Sequence, residues 1–357
     1  MRGALTTALT ERLGIEVPVL QAGMALVARP SLVAAVCEAG GLGVLGAAAS
    51  SPEVLAREIA EVRALTDRPF GVDLVFPPEL LRRDPAVAVQ LDALRSGSGP
   101  GDTAIAHLVS VLEPGRIDAL VEACCEARVA AVVAALGSPG PFVDRLHAAG
   151  VTVLALCGTP EQARRLEVDG VDAVIASGAE AGGHTGRIGS LTLWQACLDA
   201  VDVPVVAAGG IVDGRGLAAA LVVGCQAAWV GTRFLATVEG DVHPRAKEVV
   251  VGMGVQDTTV TRAFSGKPMR VRTNRFVVEF EASGGRHRGF PLQLLEGDGR
   301  SERGLRAGDV DDGAVPVGQA GGRITAVEPA GAVVGAMVRD AARALARWNR
   351  AAPGAQV

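Results

Sequence analysis

The sequence predicts an α/β protein, a (β/α)8 TIM barrel with a smaller cap domain inserted after the eighth strand. Eight short apolar runs, each bounded by glycine or proline, alternate with amphipathic stretches long enough for a helix. The runs are nearly continuous in hydrophobicity, as parallel strands covered on both faces must be. At 357 residues, 49% hydrophobic and 20% charged, the chain is long enough to bury a barrel core and still carry an appendage.

In order, the first strand is expected at 17–21, followed by a helix at 31–39 with Pro30 at a favourable starting position. A short second strand at 43–46 precedes a helix at 52–65 with Ser51 as its cap. The third strand spans 70–76. Helix 117–127 leads to strand four at 129–135, and helix 142–149 to strand five at 151–156. Residues 160–168 and 171–176 form the sixth unit, 191–200 and 204–208 the seventh, 214–223 and 226–230 the eighth.

Two segments break this rhythm. Residues 77–114, including Ser96-Gly-Ser-Gly-Pro-Gly101, read as an excursion with a flexible tip. Residues 237–315 are more charged, hold a β-like patch at 270–281, and turn Gly/Asp/Arg-rich at 284–313. They are expected to form the cap over the barrel formed by 1–236. The amphipathic run 331–348, within a C-terminal stretch 316–350, should return as a helix to the barrel wall.

Composition narrows the function. A net charge of −5 and 3% aromatic residues offer neither a basic patch nor a stacking platform for nucleic acid. The six cysteines (37, 124, 125, 157, 197, 225) lack metal-ligand spacing and read as buried free thiols in a cytoplasm. No metal site is expected. The polar N-terminus does not read as a signal peptide and no apolar span is long enough for a membrane, so a soluble cytoplasmic protein is expected. The oligomeric state stays open, a homodimer included.

The chemistry concentrates in Ala176-Ser-Gly-Ala-Glu-Ala-Gly-Gly-His-Thr-Gly186, directly after the sixth strand. The carboxyl ends of parallel strands are where ligands bind. Glycines there expose N–H groups, and His184 adds a titratable ring for proton chemistry beside an anionic or planar ligand. Gly209 and Gly210 after strand seven, with Gly231 and Thr232 after strand eight, fall where barrels cradle phosphate. Gln21-Ala-Gly-Met-Ala25 presents small residues against which a planar ring could lie, with Met24 packed on it. Asp73 lies within the third strand, where a carboxylate is expensive unless paired; it is a site candidate, with a structural salt bridge as the alternative. His147 reads as part of a helix face and His243 as surface or rim of the cap.

The segments QAGMALVARPSLVAAVCEAGGLGVLG, AEAGGHTG, VPVVAAGGIVDGRG and WVGTRF, with TRAFSGKPMRVRTNRF at 261–276, together resemble the FMN-dependent nitronate monooxygenase (2-nitropropane dioxygenase) family. That family also includes flavin-dependent enoyl-ACP reductase II and NADH:quinone reductase branches. The resemblance implies FMN at the barrel mouth. Ala22, Gly23 and Met24 would line the ring, and Ser177, Gly182 and Gly183 would contact the flavin and its ribityl chain. Gly209, Gly210, Gly231 and Thr232 would hold the phosphate, and His184 falls on the catalytic histidine. Asp73 stands where the family usually has asparagine, and Ser177 replaces a larger polar residue. An ionised Asp73 could not donate to the flavin.

Oxidation of an alkyl nitronate with dioxygen is the leading expectation, His184 acting as base or orienting the anion. The alternative is an NAD(P)H-dependent FMN reductase of enoyl thioesters or quinones, delivering hydride to an activated alkene. A non-catalytic flavin-binding barrel is the third reading.

Overall fold

The computed structural model describes residues 5–48, 50–76, 115–290 and 293–351, with backbone alone for 294–298 and 349–351. The expected excursion at 77–114 and its His107 lie outside the described residues.

The first half of the barrel runs β1 (Val19–Gln21), α2 (Pro30–Glu38), β2 (Val44–Gly46), α3 (Pro52–Leu65), β3 (Gly71–Val75), α4 (Arg116–Ala127) and β4 (Ala131–Ala135). Then come α5 (Val143–Ala148), β5 (Thr152–Cys157), α6 (Pro160–Val168), β6 (Ala173–Ser177) and a two-residue strand β7 (Gly183–His184). The barrel completes with α7 (Ser190–Leu198), β8 (Val205–Ala208), α8 (Gly214–Val223), β9 (Ala227–Val230) and the short α9 (Thr232–Leu235). The expected caps are present. Ser51 Oγ accepts from the Val54 N–H, and Pro30 and Pro52 open their helices.

The eight strands pair in the order β1-β9-β8-β6-β5-β4-β3-β2, each pair parallel. The sheet is the predicted barrel, nearly closed. At the seam between β1 and β2, the Gln21 N–H donates to Leu42 O at 2.9 Å and the Leu42 N–H to Val19 O at 3.0 Å. The buried Gln21 side chain extends the seam, its Oε1 accepting from the Val44 N–H at 3.1 Å. A side-chain amide thus stands in for a ladder rung.

Strand periodicity sorts the core into two layers. Leu20, Val44, Val133, Leu154, Ile175, Val206 and Trp229 pack on one another inside the barrel. The alternate residues, among them Val19, Leu45, Val72, Leu74, Val132 and Val174, pack outward against the helices. Within the barrel, the helix at the amino end was not expected from sequence. α1 (Ala8–Leu13) plugs the amino end of the barrel with Leu9 and Leu13, held by a Thr7–Thr10 capping box. At six residues it is too short for a periodic signal. At the same end buried Asp172 accepts from the Val153 N–H at 2.7 Å, lies 2.9 Å from His147 Nε2 and pairs with Arg12. His147 is therefore a partner of a residue remote in sequence as well as part of a helix face.

Beyond the barrel come α10 (Pro244–Gly252), β10 (Thr258–Thr261), β11 (Met269–Arg272), α11 (Arg275–Ala282) and α12 (Leu294–Leu305). His243 caps α10, accepting from the Arg245 N–H at 3.2 Å. Two expectations change here. The β-like patch at 270–281 is a strand only to Arg272. Asn274 then accepts from the Val277 N–H and starts a helix whose Phe and Val content had read as strand. The Gly/Asp/Arg-rich stretch at 284–313, whose composition reads as solvated loop, contains the helix α12, and Leu305 and Val310 are buried in the main core.

The last helix, α13 (Ala330–Ala351), packs on α8 and α2 as its amphipathic pattern predicts. Gly214 makes the close approach feasible, since a Cβ there would sit 2.4 Å from Met337 O. All six cysteines are free thiols, and Cys157 and Cys197 Sγ lie 4.0 Å apart.

Candidate active site

A cavity of about 930 Å³ opens at the carboxyl ends of the barrel strands, and every site residue named from the sequence lines it. Ala22, Gly23 and Met24 follow β1, Asp73 rises from β3, and Ser177 ends β6. Gly182, Gly183 and His184 come from the segment beyond β6, Gly209 and Gly210 follow β8, and Gly231 and Thr232 follow β9.

Local chemistry sets each of these loops. The turn after β1 is closed by the Val27 and Ala28 N–H groups, both donating to Met24 O at 2.9 Å. Arg29 braces it, donating to Ala25 O at 2.6 Å and to Gly46 O while pairing with Glu58 at 2.5 Å. After β6, the Gly178 N–H donates to Ala208 O, and Ser190 occupies the space a side chain at 178 would need, 2.3 Å from its would-be Cβ. Glu180 Oε2 accepts from the Ser190 N–H at 2.8 Å and its hydroxyl at 2.6 Å. Gly182 lies so close to the 317–318 backbone that a Cβ would fall 2.6 Å from the Val317 carbonyl carbon. Gly209 and Gly210 have φ of 92° and 76°, backbone that β-carbon-bearing residues resist.

The Gly210 and Gly231 N–H groups find no protein acceptor among the described residues. Thr232 Oγ1 accepts from the Gly318 N–H at 2.9 Å, leaving its own proton to donate. All three residues line the cavity at the ends of adjacent strands β8 and β9, where donors left over from the fold suit an anion.

His184 is not in an open loop as expected. Its segment is β7, which pairs antiparallel with β11, Met269 opposite His184 and Arg270 opposite Gly183. With β10 they form a three-stranded sheet. Buried Ser265 lies 2.8 Å from His184 Nε2 and fixes the ring. Burial, with the nearby Lys267 charge, lowers the imidazole pKa to about 4, so the ring is neutral near pH 7.

Ser265, Lys267, Arg270 and Glu180 were not picked out individually by the sequence reading. Arg270 is buried, donates from Nε to Ala179 O at 2.8 Å, and reaches Thr258 Oγ1 at 2.9 Å, tying the sheet to the barrel loop. The basic and hydroxyl residues of 261–272 were the available signal, but their target lies far back along the chain. Asp73 is buried, and the alternative of a structural salt bridge does not hold among the described residues: its Oδ1 has no partner.

The family model described as nitronate monooxygenase matches residues 6–340. A Rhodococcus jostii (strain RHA1) relative, (3aS,4S,5R,7aS)-5-hydroxy-7a-methyl-1-oxo-octahydro-1H-indene-4-carboxyl-CoA dehydrogenase, is 41% identical over 280 residues, spanning 78% of this chain and 69% of its own. FabK from Thermotoga maritima superposes with a TM-score of 0.81 at 34% identity, over 97% of this chain and 99% of that one. Nitroalkane oxidase from Streptomyces ansochromogenes gives a TM-score of 0.78 at 34% identity, over 96% and 100%. With a match that runs from residue 6 to 340 and the same barrel shared with these relatives, the chain belongs to the nitronate monooxygenase family of flavin-dependent oxidoreductases.

Proposed function

We propose that the cavity holds FMN and that the protein oxidises an alkyl nitronate with dioxygen. The cavity fits the cofactor. It offers N–H donors without protein acceptors at Gly210 and Gly231 for a phosphate, small or apolar walls at Ala22, Met24 and Trp229 for a ring, and an orphaned buried polar atom on Asp73. Gly182 and Gly183 would leave room beside the ring, and Ser177, Gly209 and Thr232 would complete the polar cradle. Bound there, a flavin supplies acceptance of electrons from an organic substrate and their return to a second substrate.

The observation that carries the nitronate reading is the placement of His184, held by Ser265 at 2.8 Å on the cavity wall beside Lys267. A ring whose pKa is near 4 is a weak base for a neutral nitroalkane, but a good neutral partner for an anion that arrives already ionised. The Lys267 charge that disfavours imidazolium also favours a bound anion. His184 thus orients the nitronate, Ser265 holds His184, and the 237–315 segment, proposed as the cap, contributes Lys267, Pro268 and Met269 to the cavity wall.

A second reading is favoured by the CoA-thioester dehydrogenase relative and the FabK likeness. An NAD(P)H-dependent reductase of enoyl thioesters would use the same cavity, with His184 facing the thioester carbonyl. Anaerobic stopped-flow absorbance of the FMN-loaded protein separates the two. Rapid bleaching by propionate-3-nitronate, with none by NADH or NADPH, supports nitronate oxidation. Fast reduction by a pyridine nucleotide alone overturns it in favour of the reductase.

A further inference from the structure

Asp73 sits on β3 between Gly46 of β2 and Val133 of β4. Its neighbours Val72 and Leu74 pack outward, so strand alternation turns Asp73 inward, where it lines the cavity. Its side chain is pressed against the loop after β1: a Cβ on Gly23 would fall 2.2 Å from the Asp73 Cβ and 2.7 Å from Oδ2. The Oδ1 atom is buried without a hydrogen-bond partner, and no cation pairs with the group among the described residues. Burial alone holds the carboxyl well above the usual carboxylate range.

A carboxylate buried without donors or a counter-charge takes up a proton instead. Protonated, it gains one O–H donor, which needs an acceptor. Among the described residues Oδ1 has no hydrogen-bond partner, and the group lines the cavity. Building on the FMN reading, we propose that Asp73 is an un-ionised carboxylic acid that donates a hydrogen bond to an acceptor atom of the bound flavin ring. It is then a positioning and tuning donor. An ionised group at the same place would oppose the charge that develops on reduction.

Isotope-edited difference infrared spectroscopy of the full chain, wild type against Asp73→Asn, reads the protonation state without FMN and with it. The expected signal near neutral pH is the carbonyl stretch of a carboxylic acid that moves to lower frequency when FMN is added. Carboxylate bands, or an acid band that FMN does not move, would overturn the proposal.

Fluorescence titration and spectroelectrochemistry give a second readout. Asp73→Asn keeps an N–H donor and should hold FMN affinity within about threefold, whereas Asp73→Leu should weaken it roughly tenfold and make the potential more negative. Equal losses in both variants would also overturn it. If the wild type binds no FMN, the cofactor reading falls and takes the donation with it. An FMN-loaded wild type with an unmoved acid band removes only the role of Asp73.

Discussion

His184 shows how much one side chain's chemistry is set by what surrounds it. In water its ring would titrate near neutrality; here burial and Lys267 bring it to about 4, and Ser265 fixes its orientation. Replacing it by glutamine, which removes the oriented partner of the anion, should lower kcat/KM by about 10–10²-fold while FMN stays bound, checked by steady-state kinetics alongside flavin titration. Because its pKa is depressed, the ring does not change charge near neutrality, so kcat/KM should show no histidine limb there, and any effect of ring protonation is confined to pH near about 4. A limb near the ordinary histidine value would mean that the ring is solvated in the working enzyme. The sequence singled out His184 because its glycine neighbours follow a strand. Ser265 and Lys267 escaped because their link to it runs through the pairing of β7 with β11, which no local window contains.

At the level of elements, the turn after β1 hangs on Arg29, whose guanidinium serves Glu58, Ala25 O and Gly46 O together. Arg29→Met should destabilise the protein by about 3–5 kcal/mol, since it strands the buried Glu58 carboxylate, and thermal or urea unfolding would measure it. A loss confined to FMN affinity, with stability intact, would place Arg29 outside the fold's support. The barrel strands and their helices were legible because periodicity, proline starts and glycine stops agree on them. The 269–282 stretch was not, because Phe276, Val277, Val278 and Phe280 have strand-like composition while Asn274 caps a helix. Nor was α1, whose signal is a single capping box.

Across the whole molecule, the largest tertiary bond in sequence terms is α13 returning to α8 and α2. It buries Val333, Val334 and Met337, worth about 1.5–3 kcal/mol each. Deleting 330–351 therefore removes a share comparable with a typical total stability of about 5–15 kcal/mol. The shortened chain should lose its cooperative melting transition by circular dichroism, and a retained sharp transition would show that α13 only decorates the wall.

The pairing of β7 with β11 reaches further than geometry. Gly183 and His184 are emitted with the barrel, yet their strand partner is made only when Met269 and Arg270 follow. A ribosome-bound barrel with an exposed mouth therefore lacks the strand partner that aligns the histidine until the segment beyond the barrel has emerged. The same pairing ties the cavity wall to the seat of the histidine, since Lys267, Pro268 and Met269 line the cavity and Ser265 holds the ring.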